Sequence, residues 1–198
     1  MSRWTRYGLP LILAVLAVGC RTMFHSSEVP PSQPSQPSGE HGYALLFDLL
    51  GDEQDVSKLR FIKRERPDLN NLVKEISKVS GDAHKQLEIF GKADPALNLK
   101  DLGLPAAEME ARKAIGKTKE KALLTQKNKE FEVQLLLSQN EALTYGAHLA
   151  GVVAAAESNP QRNRCVAGLS QQLTGLQQKV FGMLVGKYSW PQEPPKTP

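Results

Sequence analysis

The sequence predicts an all-α protein, an antiparallel up-and-down bundle of four to five helices. From Tyr43 onward, apolar residues recur at steps of three and four, and the alternation typical of strands is nearly absent. The segments are long, their connections are short, and prolines stand where new segments begin. This pattern is typical of helices that each bury one apolar stripe in a shared core.

The first two helices are predicted on either side of Pro67. Helix one should span about 43–64, and Gly51 is a candidate kink or break within it. Its inner side should carry Leu45, Leu46, Leu49, Val56, Leu59 and Ile62. Helix two should begin at Pro67, because a proline in the first turn loses no hydrogen bond there, and should end near Gly91. Its stripe comprises Leu69, Leu72, Val73, Ile76, Val79, Ala83, Leu87 and Phe90.

Three further helices follow a loop over 92–104. The third should span 105–126, and Asn128 marks a break before the fourth, at 130–157. The predicted stripe of the fourth helix is Phe131, Leu135, Ser138, Ala142, Tyr145, Leu149, Val152 and Ala156. The fifth should span 160–188, with Val166, Leu169, Leu173, Leu176, Val180 and Leu184 inside. Short connections between long helices favour antiparallel neighbours.

Small residues form two parallel rows along the fourth helix. One row is Gly146, Ala150 and Ala154, and the other is Ala147, Gly151 and Ala155. Rows at this spacing let a second backbone approach closely. We expect tight packing within the bundle; the alternative is a surface for a partner helix.

Several segments resemble uncharacterised bacterial envelope proteins that carry a ferritin-like helical bundle, a domain of unknown function. The segment LVKEISKVSGDAHKQLE, 72–88, is similar to their second helix, and Leu104-Pro105 precedes the next. The segment FEVQLLLSQNEALTYGAHLA, 131–150, is similar to their helix with an aromatic residue and an acid at its start and a histidine further on. The resemblance covers about 45–185 and implies a ferritin-like fold, but no particular activity.

The N-terminus predicts export. Arg3 and Arg6 precede an apolar run of about ten residues, which is typical of a signal peptide and about half the length of a membrane span. The sequence that ends this run, Ala17-Val18-Gly19-Cys20, resembles the lipobox of bacterial lipoproteins. That resemblance implies cleavage before Cys20 and acylation of its thiol, with palmitate as a typical chain. The alternative is an ordinary signal peptide followed by a chance cysteine.

The residue after the cysteine bears on location. In the lipoprotein family, an aspartate at this position favours retention at the inner membrane, but here it is Arg21. We therefore expect the protein in the cell outer membrane, lipid-anchored and facing the periplasm. The predicted partners are the lipid bilayer, through acylated Cys20, and a protein of the envelope.

The predicted domain organisation has four parts. Residues 1–19 are the signal peptide, and 20–42 are the lipidated cysteine followed by a disordered tether rich in Pro, Ser and Gln. The helical bundle takes 43–189, and 190–198 are a disordered proline-rich tail. His25 and His41 then fall on the tether.

Charge and cysteine content limit the partners. The chain has 25 Lys and Arg against 21 Asp and Glu, and loss of the signal peptide lowers the formal net charge from +4 to +2. So small a bias predicts no nucleic-acid partner. Cys165 has no intrachain partner once Cys20 is acylated. We expect Cys165 to be a packed thiol; the alternative is an intermolecular disulfide.

A di-metal site is the one chemical hypothesis that the histidines raise. Ferritin-like carboxylate sites use Glu-x-x-His on two helices, but Gly81 and Tyr145 stand three residues before the two histidines of the bundle. We therefore predict neither a metal nor any other cofactor. A looser site could still draw on His84, Glu88, Glu141 and His148.

No catalytic residues are predicted, and the chain is not expected to be an enzyme. Gly116-Lys117-Thr118 lacks the glycine five residues earlier that a phosphate-binding loop requires, and it lies in a helical pattern. A basic cluster, Lys58, Arg60, Lys63, Arg64 and Arg66, is interleaved with Asp52, Glu53, Asp55 and Glu65. We expect these mixed charges to form a solvated helix face.

Two functions remain open on the sequence alone. The first is a membrane-anchored envelope lipoprotein whose helical bundle is a binding or structural module without catalytic activity. The alternative is a metal-binding or redox protein with a non-standard His/Glu site inside a ferritin-like bundle.

Overall fold

The computed structural model describes residues 40–61 and 66–188, and within these stretches it is helical and contains no β-strand. Five α-helices and two 3₁₀ segments follow one another: α1 Glu40–Gln54, 3₁₀ Val56–Phe61, α2 Pro67–Ala93, 3₁₀ Pro95–Leu97, α3 Ala106–Thr125, α4 Asn128–Ala156 and α5 Pro160–Tyr188. The predicted all-α helical bundle is confirmed. The predicted signal peptide, Cys20, residues 21–39 of the tether and the tail at 190–198 lie outside the described residues. In the described part, no helix is long and apolar enough to cross a membrane.

Four helices supply nearly all of the core, and α3 adds only Leu123 to it among the described residues. Helix α4 packs against α1 and α5, and α2 also packs against α1 and α5, whereas the backbone of α3 comes close to α4 alone among the described elements. Only three residues, 157–159, join α4 to α5, so the two helices run antiparallel. In the 20 residues of α3, Leu123 is the one buried side chain.

Helix α1 differs from its prediction at both ends. It begins at Glu40 rather than Tyr43, because Gly42 and Tyr43 are already buried in the bundle, and a Cβ atom on Gly42 would lie 2.7 Å from Cγ2 of Val153. His41 is therefore in α1 rather than on a tether, and its Nδ1 lies 3.2 Å from the carbonyl oxygen of Asp101.

The break after α1 falls at Asp55, not at Gly51. The N–H of Lys58 donates to the carbonyl oxygen of Asp55 at 2.9 Å, which starts a 3₁₀ segment. Asp52, Glu53 and Asp55 crowd the C-terminal end of α1, where negative charge opposes the helix dipole. Gly51 remains helical, and a Cβ atom at this position would lie 3.5 Å from Nε2 of His84 in α2.

The stripes of α2 and α5 match the sequence pattern. Helix α2 begins at Pro67 as predicted, and α5 has the predicted bounds. In both helices, the predicted apolar residues are either buried or packed partly buried against the core. One polar residue, Ser80, joins the buried face of α2.

Beyond Leu135, the predicted stripe of α4 is largely misplaced, although Leu149 packs partly buried against the core. Tyr145 and Val152, which belong to that stripe, are 39% and 52% exposed. The buried residues are Phe131, Leu135, Leu136, Gln139, Leu143, Gly146, Ala147, Ala150, Val153 and Ala154. Three successive leucines from residue 135 fit two neighbouring stripes. The buried stripe continues through Gln139 and Gly146. Neither residue has a large apolar side chain, so the sequence does not show that these positions are buried.

Gly146 is the tightest point of the small-residue rows. A Cβ atom there would lie 2.8 Å from Leu49 in α1 and 3.2 Å from Leu173 in α5. Its whole row is buried, so the prediction of packing within the bundle is confirmed for that row. The other row becomes exposed along the helix, and a Cβ atom on Gly151 would meet only the hydroxyl of Ser170, at 3.5 Å.

A polar cluster ties the start of α1 to the turn between α4 and α5. We call it the Glu157 cluster; it comprises Tyr43, Asp94, Glu157 and Arg162. The Tyr43 hydroxyl donates to Glu157 Oε2 at 2.6 Å, and Arg162 Nε donates to the same atom at 2.8 Å. Arg162 Nη1 also donates to Asp94 at 2.6 Å. Burial alone would raise the pKa of Glu157, but the hydrogen bonds from Arg162 and Tyr43 outweigh it and hold that pKa at about 2.

Candidate binding cleft

A cleft lies between α1, α3 and α4, and side chains of all three helices line it. It has two lobes of about 400 and 430 Å³, within the range typical of small-molecule sites. Both lobes are lined by Asp52, Glu53, Gly116, Lys119 and Ser138. The cleft is therefore one continuous feature, which the shared residues divide into a first and a second lobe.

The composition of α3 explains why the cleft stays open. Leu123, the buried side chain of α3, lies near its C-terminal end, so apolar packing holds the helix at that end. Nearer its N-terminus, Ile115 is 54% exposed, and a Cβ atom on Gly116 would meet nothing within 4 Å. Two contacts across the cleft are the ion pair of Lys119 with Glu141 and the stacking of Arg112 over Tyr145, and such contacts leave more space than interlocked apolar side chains do.

Glu53 and Gln139 are the buried polar groups of this cleft. Gln139 is 4% exposed, and its side chain is hydrogen-bonded to the carboxylate of Glu53. Oε2 of Glu53 and Oε1 of Gln139 are both buried, and neither has a hydrogen-bond partner among the described residues. A buried acceptor without a donor costs free energy, about 1–3 kcal/mol, so these two oxygens favour a donor from outside the chain.

Burial changes the acidity of the cleft. It raises the pKa of Glu53 to about 7, and the charge of Asp52 acts in the same direction, while the hydrogen bond from Gln139 and the charge of Lys119 oppose the shift. Burial also raises the pKa of Asp52, with further contributions from Asp48 and Asp55. Acidic groups are thus concentrated on the α1 side of the cleft, where burial and mutual repulsion disfavour their charged forms.

The two cations of α3 that line the cleft, Arg112 and Lys119, already have partners. Lys119 Nζ lies 2.6 Å from Glu141 of α4, which bridges the cleft. The guanidinium carbon of Arg112 lies 5.8 Å from the centre of the Tyr145 ring, and Arg112 Nε lies 2.9 Å from Glu108. Because each cation is compensated by a carboxylate, the acids of α1 leave the cleft with net negative charge.

The four weakly predicted metal ligands lie in separate surroundings. His84 stacks on Phe47 of α1 with ring centres 3.9 Å apart, and Glu88 pairs with Lys92 at 2.9 Å. Glu141 belongs to the cleft, whereas His148 lies beside α5 in a separate groove lined by Thr144, Ala147, Ser170, Thr174 and Gln177. Within residues 40–61 and 66–188, no three His, Cys, Asp or Glu side chains are placed to hold a metal ion. The metal-binding alternative stays a prediction that no contact supports.

Other residues singled out from the sequence contribute no chemistry to the cleft. The segment 116–118 lies in the middle of α3, as its helical pattern predicted. Cys165 is a free, half-buried thiol packed against the core, and burial raises its pKa. In the basic cluster, Lys58 is exposed and pairs with Asp55 at 2.5 Å, while 62–65 lie outside the described residues.

Sequence reasoning missed Glu53 and Gln139. We had expected Glu53 to share a solvated face with the basic cluster, but its Oε2 is fully buried. The charge pattern alone cannot show this, because Glu53 lies among residues of α3 and α4 that are more than 50 residues away in the chain. A signal for Gln139 did exist: it lies three residues after Leu136 and four before Leu143, on an otherwise apolar stripe.

Comparisons of the chain with family models, curated proteins and solved structures found no match. The resemblances to bacterial lipoproteins and to ferritin-like envelope proteins therefore remain predictions from the sequence.

Proposed function

We propose that this chain is a lipid-anchored protein of the bacterial cell envelope whose helical bundle is a binding module without catalytic activity. The observation that carries the binding role is the cleft beneath α3, with its two unpartnered buried oxygens on Glu53 and Gln139. The support for the anchor is the sequence that ends in Cys20. We place the anchor in the outer membrane, facing the periplasm, because Arg21 follows that cysteine.

The anchor can be tested with the two cysteines of the chain. Cys20→Ser should prevent acylation, so the protein should lose its partitioning into the membrane fraction or accumulate as an uncut precursor. Globomycin, which blocks cleavage of lipoprotein precursors, should give the precursor with the natural sequence. Cys165→Ser is the matched control and should partition like the natural protein. If Cys20→Ser and the globomycin-treated protein had the same size and partitioning as the untreated natural protein, the anchor would be refuted.

The binding role can be tested by crosslinking in cells. A photoreactive residue in place of Ile115 would stand at the cleft, whereas one in place of Ile89, on α2, would be about equally exposed but away from it; the two isoleucines are 54% and 56% exposed. We expect reproducible crosslinked products from position 115 and a much lower yield from position 89. Equal yields from the two positions would show that the cleft is not the binding surface.

A further inference from the structure

The second lobe of the cleft presents hydrogen-bond acceptors without donors. Glu53 Oε2 and Gln139 Oε1 are both buried, and no described residue donates to either atom. Both residues line this lobe. A ligand that satisfies both oxygens must carry at least two donors. A primary ammonium group has three donors and no acceptor, so it can meet both oxygens without adding an unsatisfied atom.

The charges around these oxygens favour a cation. Four carboxylates and a single lysine line the second lobe: Asp52, Glu53, Asp55, Glu120 and Lys119. The lysine is already paired with Glu141, so its charge is not free to neutralise a bound anion. An anionic ligand would meet these carboxylates at close range in a partly desolvated cleft, where like charges repel most strongly.

The cleft walls suit an alkyl chain. Val56, Leu123 and Leu135 line the second lobe, and all three are buried apolar residues. Leu45, Leu49 and Ile115 line the first lobe. A short alkyl chain leading away from the ammonium group would bury apolar surface against these side chains.

We propose that the cleft binds a primary alkylammonium group, with its nitrogen between Glu53 Oε2 and Gln139 Oε1 and its alkyl chain against the leucines. This inference rests on the proposed function, because it assigns a ligand class to that binding module. It does not depend on the lipid anchor. The same chemistry is offered by a free aliphatic diamine and by a lysine side chain of a protein partner.

Calorimetric titration of the full mature protein in detergent separates these sources. The probes are 1,5-diaminopentane and N-acetyl-lysine amide, with 1,5-pentanediol and N-acetyl-norleucine amide as matched compounds without the ammonium group. We expect saturable binding of at least one amine and none of the matched compounds. Binding of the diamine alone identifies a small-molecule ligand, and binding of the lysine amide identifies a side chain. Absence of binding by both amines, or equal binding of the diol, would overturn the proposal.

Two variants test the placement of the nitrogen. Glu53→Gln should weaken amine binding about ten- to hundredfold, because it replaces a charge-assisted hydrogen bond with a neutral one. Gln139→Met keeps the length of the side chain but removes the second acceptor, and it should weaken binding by a smaller factor. Glu75→Gln removes a carboxylate that pairs with Lys179, away from the cleft, and should bind like the natural protein. Wild-type affinity in Glu53→Gln, with a normal unfolding transition, would overturn the proposal.

The pH dependence of binding gives an independent readout. An ammonium ion favours the ionised form of Glu53, so at pH 6 binding should release a proton from this carboxyl group to the buffer. With a pKa of about 7 for Glu53, affinity should rise about thirtyfold between pH 5.5 and 8. The other charged groups that line the two lobes with Glu53 are Asp48, Asp52, Asp55, Arg112, Lys119, Glu120 and Glu141. The increase should vanish in Glu53→Gln, and an unchanged increase in that variant would overturn the assignment to this carboxyl group.

Calcium chloride provides the last arm of the titration. Carboxylate oxygens also bind hard divalent cations, so Glu53-dependent binding of calcium without binding of either amine would overturn the ligand class. If neither amine binds while position 115 still gives specific crosslinks, the ligand class is wrong and the proposed function stands. If both experiments fail, the binding module itself is refuted.

Discussion

The buried carboxyl group of Glu53 should make the stability of the bundle depend on pH. Its pKa is raised from its ordinary value of 4.5 to about 7, mainly because burial disfavours the charged form. The folded protein therefore holds a proton on this group over a range in which the unfolded chain has lost it. Stability is fully present below pH 4.5 and falls as the pH rises, until the folded form has also lost the proton above about pH 7.

The size of the effect follows from the two pKa values. A rise from 4.5 to about 7 corresponds to a loss of about 3 kcal/mol in the free energy of unfolding between these limits. Glu53→Gln keeps the shape and the hydrogen-bonding position but removes the titration. At pH 8, this variant should therefore be more stable than the natural protein, whereas at pH 4.5 the two should be nearly equal.

Urea unfolding at half-unit steps from pH 4.5 to 8.5 measures this difference, because urea carries no charge that would screen the cleft. The quantity of interest is the difference in unfolding free energy between Glu53→Gln and the natural protein at each pH. Glu75→Gln, which removes an exposed carboxylate, should follow the natural protein throughout. Parallel curves for Glu53→Gln and the natural protein would refute the burial of an ionisable oxygen in the cleft.

Two further predictions concern packing and the Glu157 cluster. Gly146→Ala should lower stability by about 1–3 kcal/mol in thermal or urea unfolding, because its new methyl group overlaps side chains of α1 and α5. Gly151→Ala, which meets only a hydroxyl at ordinary contact distance, should not lower stability, and equal losses in the two variants would refute the packing argument. Glu157 stabilises the fold above its ordinary pKa of 4.5, and this contribution, about 3 kcal/mol, is lost as the pH falls through about 2. The side chain of Glu157 is only 4% exposed, so its charge is little screened by solvent. In urea unfolding at pH 7, Glu157→Gln should therefore lower the free energy of unfolding by a similar amount. An unchanged unfolding midpoint would contradict this prediction.

The sequence was most informative where large apolar residues marked the buried stripe. In α2 and α5, leucine, isoleucine and valine at steps of three and four identified the core face, and Pro67 and Pro160 identified the first residues. These signals are local, since each depends on residues within one or two turns. A single sequence therefore carries enough information to predict these helices and the all-α class.

Prediction was least accurate where long-range packing decides burial. The stripe of α4 was misplaced because Gly146 is buried by its fit between α1 and α5, and no property of the residue itself marks it as buried. The start of α1 was misplaced because a glycine and a histidine at 41–42 look like tether in composition, yet Gly42 meets Val153 of α4. The cleft escaped prediction for the same reason, since its lining combines side chains of α1 with side chains of α3 and α4, which are far away in the sequence.

The Glu157 cluster has a mechanical consequence. The described fold begins at Glu40, three residues before Tyr43, so tension applied through the preceding chain would reach the bundle at the first turn of α1. There, the Tyr43 hydroxyl and Arg162 both donate to the carboxylate of Glu157. Arg162 also donates to Asp94, which follows the last residue of α2. A force applied at the N-terminal end of α1 would thus be shared by α1, by the connection between α4 and α5, and by the residue that follows α2. The first turn of α1 could unfold only after these hydrogen bonds had broken.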